Sequence, residues 1–295
     1  MSVAVIGWWA VLCLIGIVNI GLWVFSAAGL ERRRHSMPRE EYSARRLQLL
    51  LCAGYVFGCA FRSFLPVFDV PRITLVDSWI STAMVGRSVA TIAELCFACQ
   101  WAFLLRETAR STGSLFAHTV TRMVVPMLAI AEACSWYSVL TTSNLGHVME
   151  ESLWGLCAAL VVACMVMIRP RCSPIARPVV ITWTLAGIAY VAYIFLVDVP
   201  MYWSRWVADE AAGRTYFTIM QGVFDASHRR VVTYSLDHWR TEMLWMGLYF
   251  SVAVWISLSL IHLPAAVARK VGSDGRAQPA HRPSQGKVTF PRSAG

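Results

Sequence analysis

The chain has 295 residues, 57% hydrophobic and only 15% charged, with a mean hydropathy of +0.54 and a formal net charge of +9. Soluble domains carry about 25% charged residues, so this composition excludes an ordinary soluble protein and indicates an integral membrane protein. The positive charge reads as basic loops kept on the cytoplasmic side, because no basic stripe interleaved with aromatics is present to hold nucleic acid.

Seven apolar stretches of roughly 20 residues or more predict seven transmembrane helices. In chain order they are Val3–Leu30, Leu47–Val67, Trp79–Leu105, His118–Leu140, Val148–Ile168, Val179–Trp203 and Glu242–Leu263. The first has no basic residue before it and is too long for a signal-peptide core. Glu31-Arg32-Arg33-Arg34 follows it and belongs on the cytoplasmic side. Lys and Arg in the loops and at span ends number eighteen on that side and six on the other, which predicts an outside N-terminus and a cytoplasmic C-terminus. The expected fold is therefore an all-α, seven-helix transmembrane bundle over residues 1–263, multi-pass in the cell (inner) membrane. Residues 264–295, rich in Gly, Pro, Ser and basic residues, read as a disordered cytoplasmic tail. The one long outer connection, Ser204–Thr241, carries Trp206, Tyr216, Phe217, Phe224 and Tyr234 among charges and suggests an amphipathic lid. The only two lysines, Lys270 and Lys287, lie in the tail, which excludes an intramembrane Schiff base to retinal. Nine cysteines, mostly inside apolar runs, give no disulfide framework.

The polar residues inside the spans are unevenly distributed. Arg62, Arg87, Glu132, Glu150, Glu151, Asp198, His238 and Glu242 all fall toward the outer side, with Glu94 deeper. Ionisable groups at membrane depth cost at least ~2.5–3.5 kcal/mol each and normally face a bundle interior or a wet cavity. A polar cavity open to the outside accounts for the bias. Acids in first helical turns, such as Glu150, Glu151 and Glu242, also have a plain explanation in the helix dipole. Arg87, Thr91 and Glu94 share one helical face, so an Arg87–Glu94 ion pair that only fixes packing is a further alternative.

Two His-x-x-x-Glu pairs, His147/Glu151 and His238/Glu242, place a nitrogen and a carboxylate one turn apart. Joined by Asp198 or Glu132 they suit a divalent transition metal such as Zn, Mn or Fe. Without a metal, Glu94, Glu132 and Asp198 are candidate acid/base groups, and Arg62 and Arg87 candidate binders of an anionic headgroup. Cys96-Phe97-Ala98-Cys99 lies in an apolar span and reads as packing rather than redox chemistry. These features point to an integral-membrane enzyme acting on a lipid or amphiphile. A transporter or ion-coupled permease is the alternative, against which uninterrupted helices argue. A sensor or subunit of a membrane complex is the third reading.

Overall fold

The computed structural model describes residues 2–171, 174 and 177–262. Seven helices in it are long and apolar enough to cross a membrane. They are α1 (Val3–Arg32), α2 (Arg39–Phe64), α3 (Ala83–Thr112), α4 (Leu115–Thr141), α5 (Asn144–Ile168), α6 (Arg177–Ala211) and, after the short α7 (Ile219–His228), α8 (Leu236–Leu260). The tail after residue 263 lies outside the described residues.

The first five helices pack sequentially, each on the next. α8 returns to pack on α1, α2 and α3, while α6 leans principally on α5. Polar side chains fasten α8 in place. Gln48 on α2 and Gln100 on α3 donate to each other's backbone carbonyls at 3.1 and 3.2 Å. Ser257 on α8 donates to Gln100 Oε1. Small residues allow close approach: a Cβ at Gly54 would press on Cys96 Sγ, so Cys96 is a packing partner of α2. The eight described cysteines are all free.

Two spans are interrupted, contrary to the expectation of unbroken helices. α6 passes through a π-helical turn at Ile194–Asp198 and α8 through another at Tyr249–Ala253. A π-turn widens the coil, and such turns concentrate at functional positions. Asn19 on α1 donates to the Phe250 carbonyl within the second at 2.8 Å, and Trp255 Nε1 donates to Asn19 Oδ1 at 3.0 Å.

One end of the bundle carries a cap that hydropathy did not foresee. β1 (Val67–Phe68) and β2 (Ile73–Thr74) form an antiparallel hairpin between α2 and α3. β3 (Val231–Val232) adds in parallel beside β2. The fold is therefore a helical bundle with a small three-stranded sheet, not purely α. The Ser204–Thr241 connection is shorter than expected because α6 runs on to Ala211 and α8 starts at Leu236. Residues 212–235 fold over the bundle end through α7 and β3. Arg72, at φ +58° in the left-handed region, anchors them. Its buried guanidinium donates to Asp225 Oδ2 on α7 at 2.9 Å, to the Asp69 carbonyl, and to the Val139 carbonyl at the end of α4. Gly222 on α7 lies so close to the Leu140 backbone that a side chain there would collide with it.

Candidate functional site

Between α3, α5, α6 and α8 lies a cavity of about 450 Å³. Heptad-like spacing on three helices builds its wall. α5 contributes His147, Glu151, Trp154, Ala158, Val161 and Met165. α6 contributes Trp183, Ala186, Tyr190 and Tyr193, and α8 contributes Glu242, Trp245, Tyr249 and Ile256. Alternating steps of three and four residues keep each set on one helical face. Ala158, Ala186 and Ala189 line it with small side chains, and Gly187 lets α6 approach Val162 on α5.

The cavity is polar toward the cap and apolar toward the opposite end. At the polar end the buried Arg87 guanidinium serves three carboxylates. Nη2 donates to Glu94 Oε2 at 3.0 Å and to Glu132 Oε2 at 2.5 Å, and Nη1 lies 3.4 Å from Glu150 Oε1. Glu132 also accepts from Thr91 Oγ1 at 2.6 Å, and Thr91 in turn accepts from Trp136 Nε1. Glu94 accepts from the Tyr249 hydroxyl at 2.8 Å, and the Glu150 carboxylate lies 2.8 Å from His147 Nδ1. α3, α4, α5 and α8 are thus joined through one buried charge network. Arg62 lines the cavity beside it, 3.9 Å from Asp69 Oδ2.

An aromatic series follows the wall. Tyr193 stacks on Trp245 (6.5 Å between centroids), which meets Tyr249 (5.2 Å). Tyr249 meets Tyr55 edge-on (5.9 Å), Tyr55 stacks on Phe97 (4.5 Å), and Phe97 leads through Trp101 to Trp183. The series begins and ends on α6, ten residues or about 15 Å apart along that helix.

The candidate residues are partitioned by this geometry. Arg62, Arg87, Glu94, His147, Glu151 and Glu242 line the cavity, and Glu132 stands behind Arg87. Asp198 is buried on the π-turn of α6 beside Tyr193, outside the cavity lining. His238 is exposed, with its Nδ1 3.2 Å from Thr233 Oγ1. The His238/Glu242 pair is therefore split between surface and cavity, and the four candidate metal ligands are not gathered at one point. Among the described residues, the acidic, His or Cys groups close enough together to share an ion are Glu94, Glu132 and Glu150. The Arg87 guanidinium occupies the space among them.

Sequence reasoning passed over Asp69, Arg72 and the tyrosines Tyr190, Tyr193, Tyr202 and Tyr249. For two of the tyrosines a signal was present as heptad spacing from another lining residue: Tyr249 lies seven residues beyond Glu242, and Tyr193 seven beyond Ala186.

No family model, no curated protein and no solved structure matches the chain. Its function is read from the site.

Proposed function

We propose that the protein is an integral-membrane protein that takes an amphiphile from the bilayer into the cavity and handles its head by proton transfer. The carrying observation is the cavity's gradient: a charged network at one end and a tunnel of Phe97, Trp101, Val161, Met165 and Trp183 at the other. Ligand pockets pair a largely apolar lining with a few convergent polar groups in this way.

The entrance is assigned to the gap between α6 and α8. α6 is the least embedded of the seven long helices, with only 17% of its apolar window buried. It meets α8 through the Tyr193–Trp245 stack on one side of the cavity and through the Val180, Trp183 and Leu260 cluster on the other. Among the cavity carboxylates, Glu151 and Glu242 have no ion-pair partner among the described residues, whereas Glu94 and Glu150 are held by Arg87. Acid/base work on a bound head therefore falls to Glu151 and Glu242. With the bias of basic residues between loops, the cap faces outward in the cell membrane and the opposite end faces the cytoplasm.

A carrier is the second reading, favoured by the π-turns that interrupt both helices flanking the gap. Either reading requires the cavity to hold an alkyl chain. The test is labelling of the purified protein with a photoreactive alkyl probe, followed by peptide mapping. Adducts on Phe97, Trp101, Met165 or Trp183 support the reading. Adducts confined to bilayer-facing residues such as Leu14, Ile17 and Leu185 refute it.

A further inference from the structure

Acidic side chains outnumber basic ones in the cavity lining. Asp69, Glu94, Glu150, Glu151 and Glu242 face it, against the guanidiniums of Arg62 and Arg87. Arg87 is engaged through both Nη atoms by Glu94, Glu150 and the Glu132 carboxylate behind them, with its Nε left without a hydrogen-bond partner among the described residues, and Arg62 points toward Asp69. Glu151 and Glu242 are left over. Glu242 is only 7% exposed, and its one hydrogen bond comes from its neighbour Thr241, whose Oγ1 donates at 3.3 Å. Its Oε2 has no hydrogen-bond partner among the described residues. Arg205 lies over the Tyr202 ring at 5.4 Å, and neither it nor His147 forms an ion pair with Glu242 among the described residues. A carboxylate buried in this way either takes up a proton or gains a cation from outside.

The surrounding walls favour one kind of cation. Tyr190, Tyr193, Tyr202, Trp245 and Tyr249 line the same cavity as Glu151 and Glu242. Aromatic faces attract a cation through the ring quadrupole, and cages of such rings recognise quaternary ammonium groups. Strongly hydrated metal ions need several oxygen ligands converging on a point, and the only such cluster among the described residues already holds Arg87. An anionic head would meet a surplus of carboxylates. We propose that the ligand is an amphiphile with an ammonium head, its cation held between Glu151 and Glu242 within the aromatic cage and its chain lying along Phe97, Trp101 and Trp183. This rests on the amphiphile reading above and narrows it: Glu151 and Glu242 act as counter-ions of the head and exchange a proton with it only where its nitrogen carries one.

Such a head belongs either to a simple long-chain amine or to a phospholipid whose head carries an ammonium group. In the second case the phosphate faces Arg62, whose Nε is buried without a partner.

The experiment measures displacement of the photoreactive alkyl probe from the full-length protein by competitors of equal chain length. Their heads are trimethylammonium, phosphocholine, phosphate and a neutral sugar. The ammonium-bearing competitors are expected to act at concentrations lower by about tenfold or more than the phosphate and sugar compounds, equivalent to about 1.4 kcal/mol. Glu242→Gln is expected to remove that preference. If this variant does not fold, the series on the native protein decides alone. An advantage of phosphocholine over trimethylammonium identifies the phospholipid source, and equal potency identifies the simple amine. Potency independent of head charge, or greatest for phosphate, overturns the ammonium assignment and leaves the amphiphile reading standing. Failure of the probe to label the cavity overturns both.

Discussion

Arg87 on α3 and Glu132 on α4 form a buried ion pair of 2.5 Å, and the same guanidinium reaches Glu94 and Glu150. One substitution at Arg87 therefore removes the ion pairs from α3 to Glu132 on α4 and to Glu150 on α5. Removing one partner of a buried pair costs about 3–5 kcal/mol, because the remaining charge is left uncompensated. Arg87→Met is therefore expected to lower unfolding stability in detergent by that amount. Arg87→Lys should recover only part of it, since an ammonium lacks the planar fork that addresses several carboxylates together. Thermal unfolding of the two variants checks this, and stability equal to the native protein for Arg87→Met would remove the network from any structural role.

Arg72 is a second anchor, at the cap. It holds the α2–α3 hairpin, the end of α4 and α7 together through three hydrogen bonds from one guanidinium. Arg72→Ala is expected to release residues 212–235, and Gly222→Leu to do the same by collision with Leu140. Limited proteolysis should then cut this connection in both variants well before the native protein. Unchanged cutting would show that the cap docks without these contacts.

The seven spans were legible because each is a long apolar run, and the convergence of Arg87, Glu94 and Glu132 followed from helical spacing once the spans were placed. The cap was not legible. Its strands are two residues each, too short to carry a period, and Arg72 reads as an ordinary loop charge until α7 supplies Asp225. The π-turns have no local sequence signature, and Asn19, which serves one of them, is 231 residues from its acceptor. His238 and Glu242 share a face by spacing, yet the bundle surface divides them. A one-turn spacing places two residues near each other without saying which side of a rim each will occupy.

That division yields a contrast between neighbours. His238→Ala should change stability by less than about 0.5 kcal/mol, as surface substitutions do. It should also leave amphiphile binding untouched. Glu242→Gln should weaken binding of an ammonium amphiphile by about tenfold, the discrimination worth about 1.4 kcal/mol. Parallel binding titrations check the pair, and equal losses in both variants would place the site at the rim rather than in the cavity.

The cavity itself can be filled. Ala186 lines it from α6, and Ala186→Trp should occupy the space beside Trp183. Labelling by the photoreactive alkyl probe is expected to fall at least about tenfold while the variant remains folded, because ligand pockets bind through the surface they bury. Undiminished labelling of Phe97 and Trp101 in this variant would mean that the chain enters elsewhere.

The most direct measurement is an experimental structure of the protein in a lipid bilayer mimic with an ammonium-headed amphiphile present. Elongated density is expected between α3, α5, α6 and α8, its head between Glu151 and Glu242 and its chain reaching Trp183. Collapse of α6 onto α8 with the cavity closed, or density for the amphiphile only on the outer faces of the bundle, would contradict it.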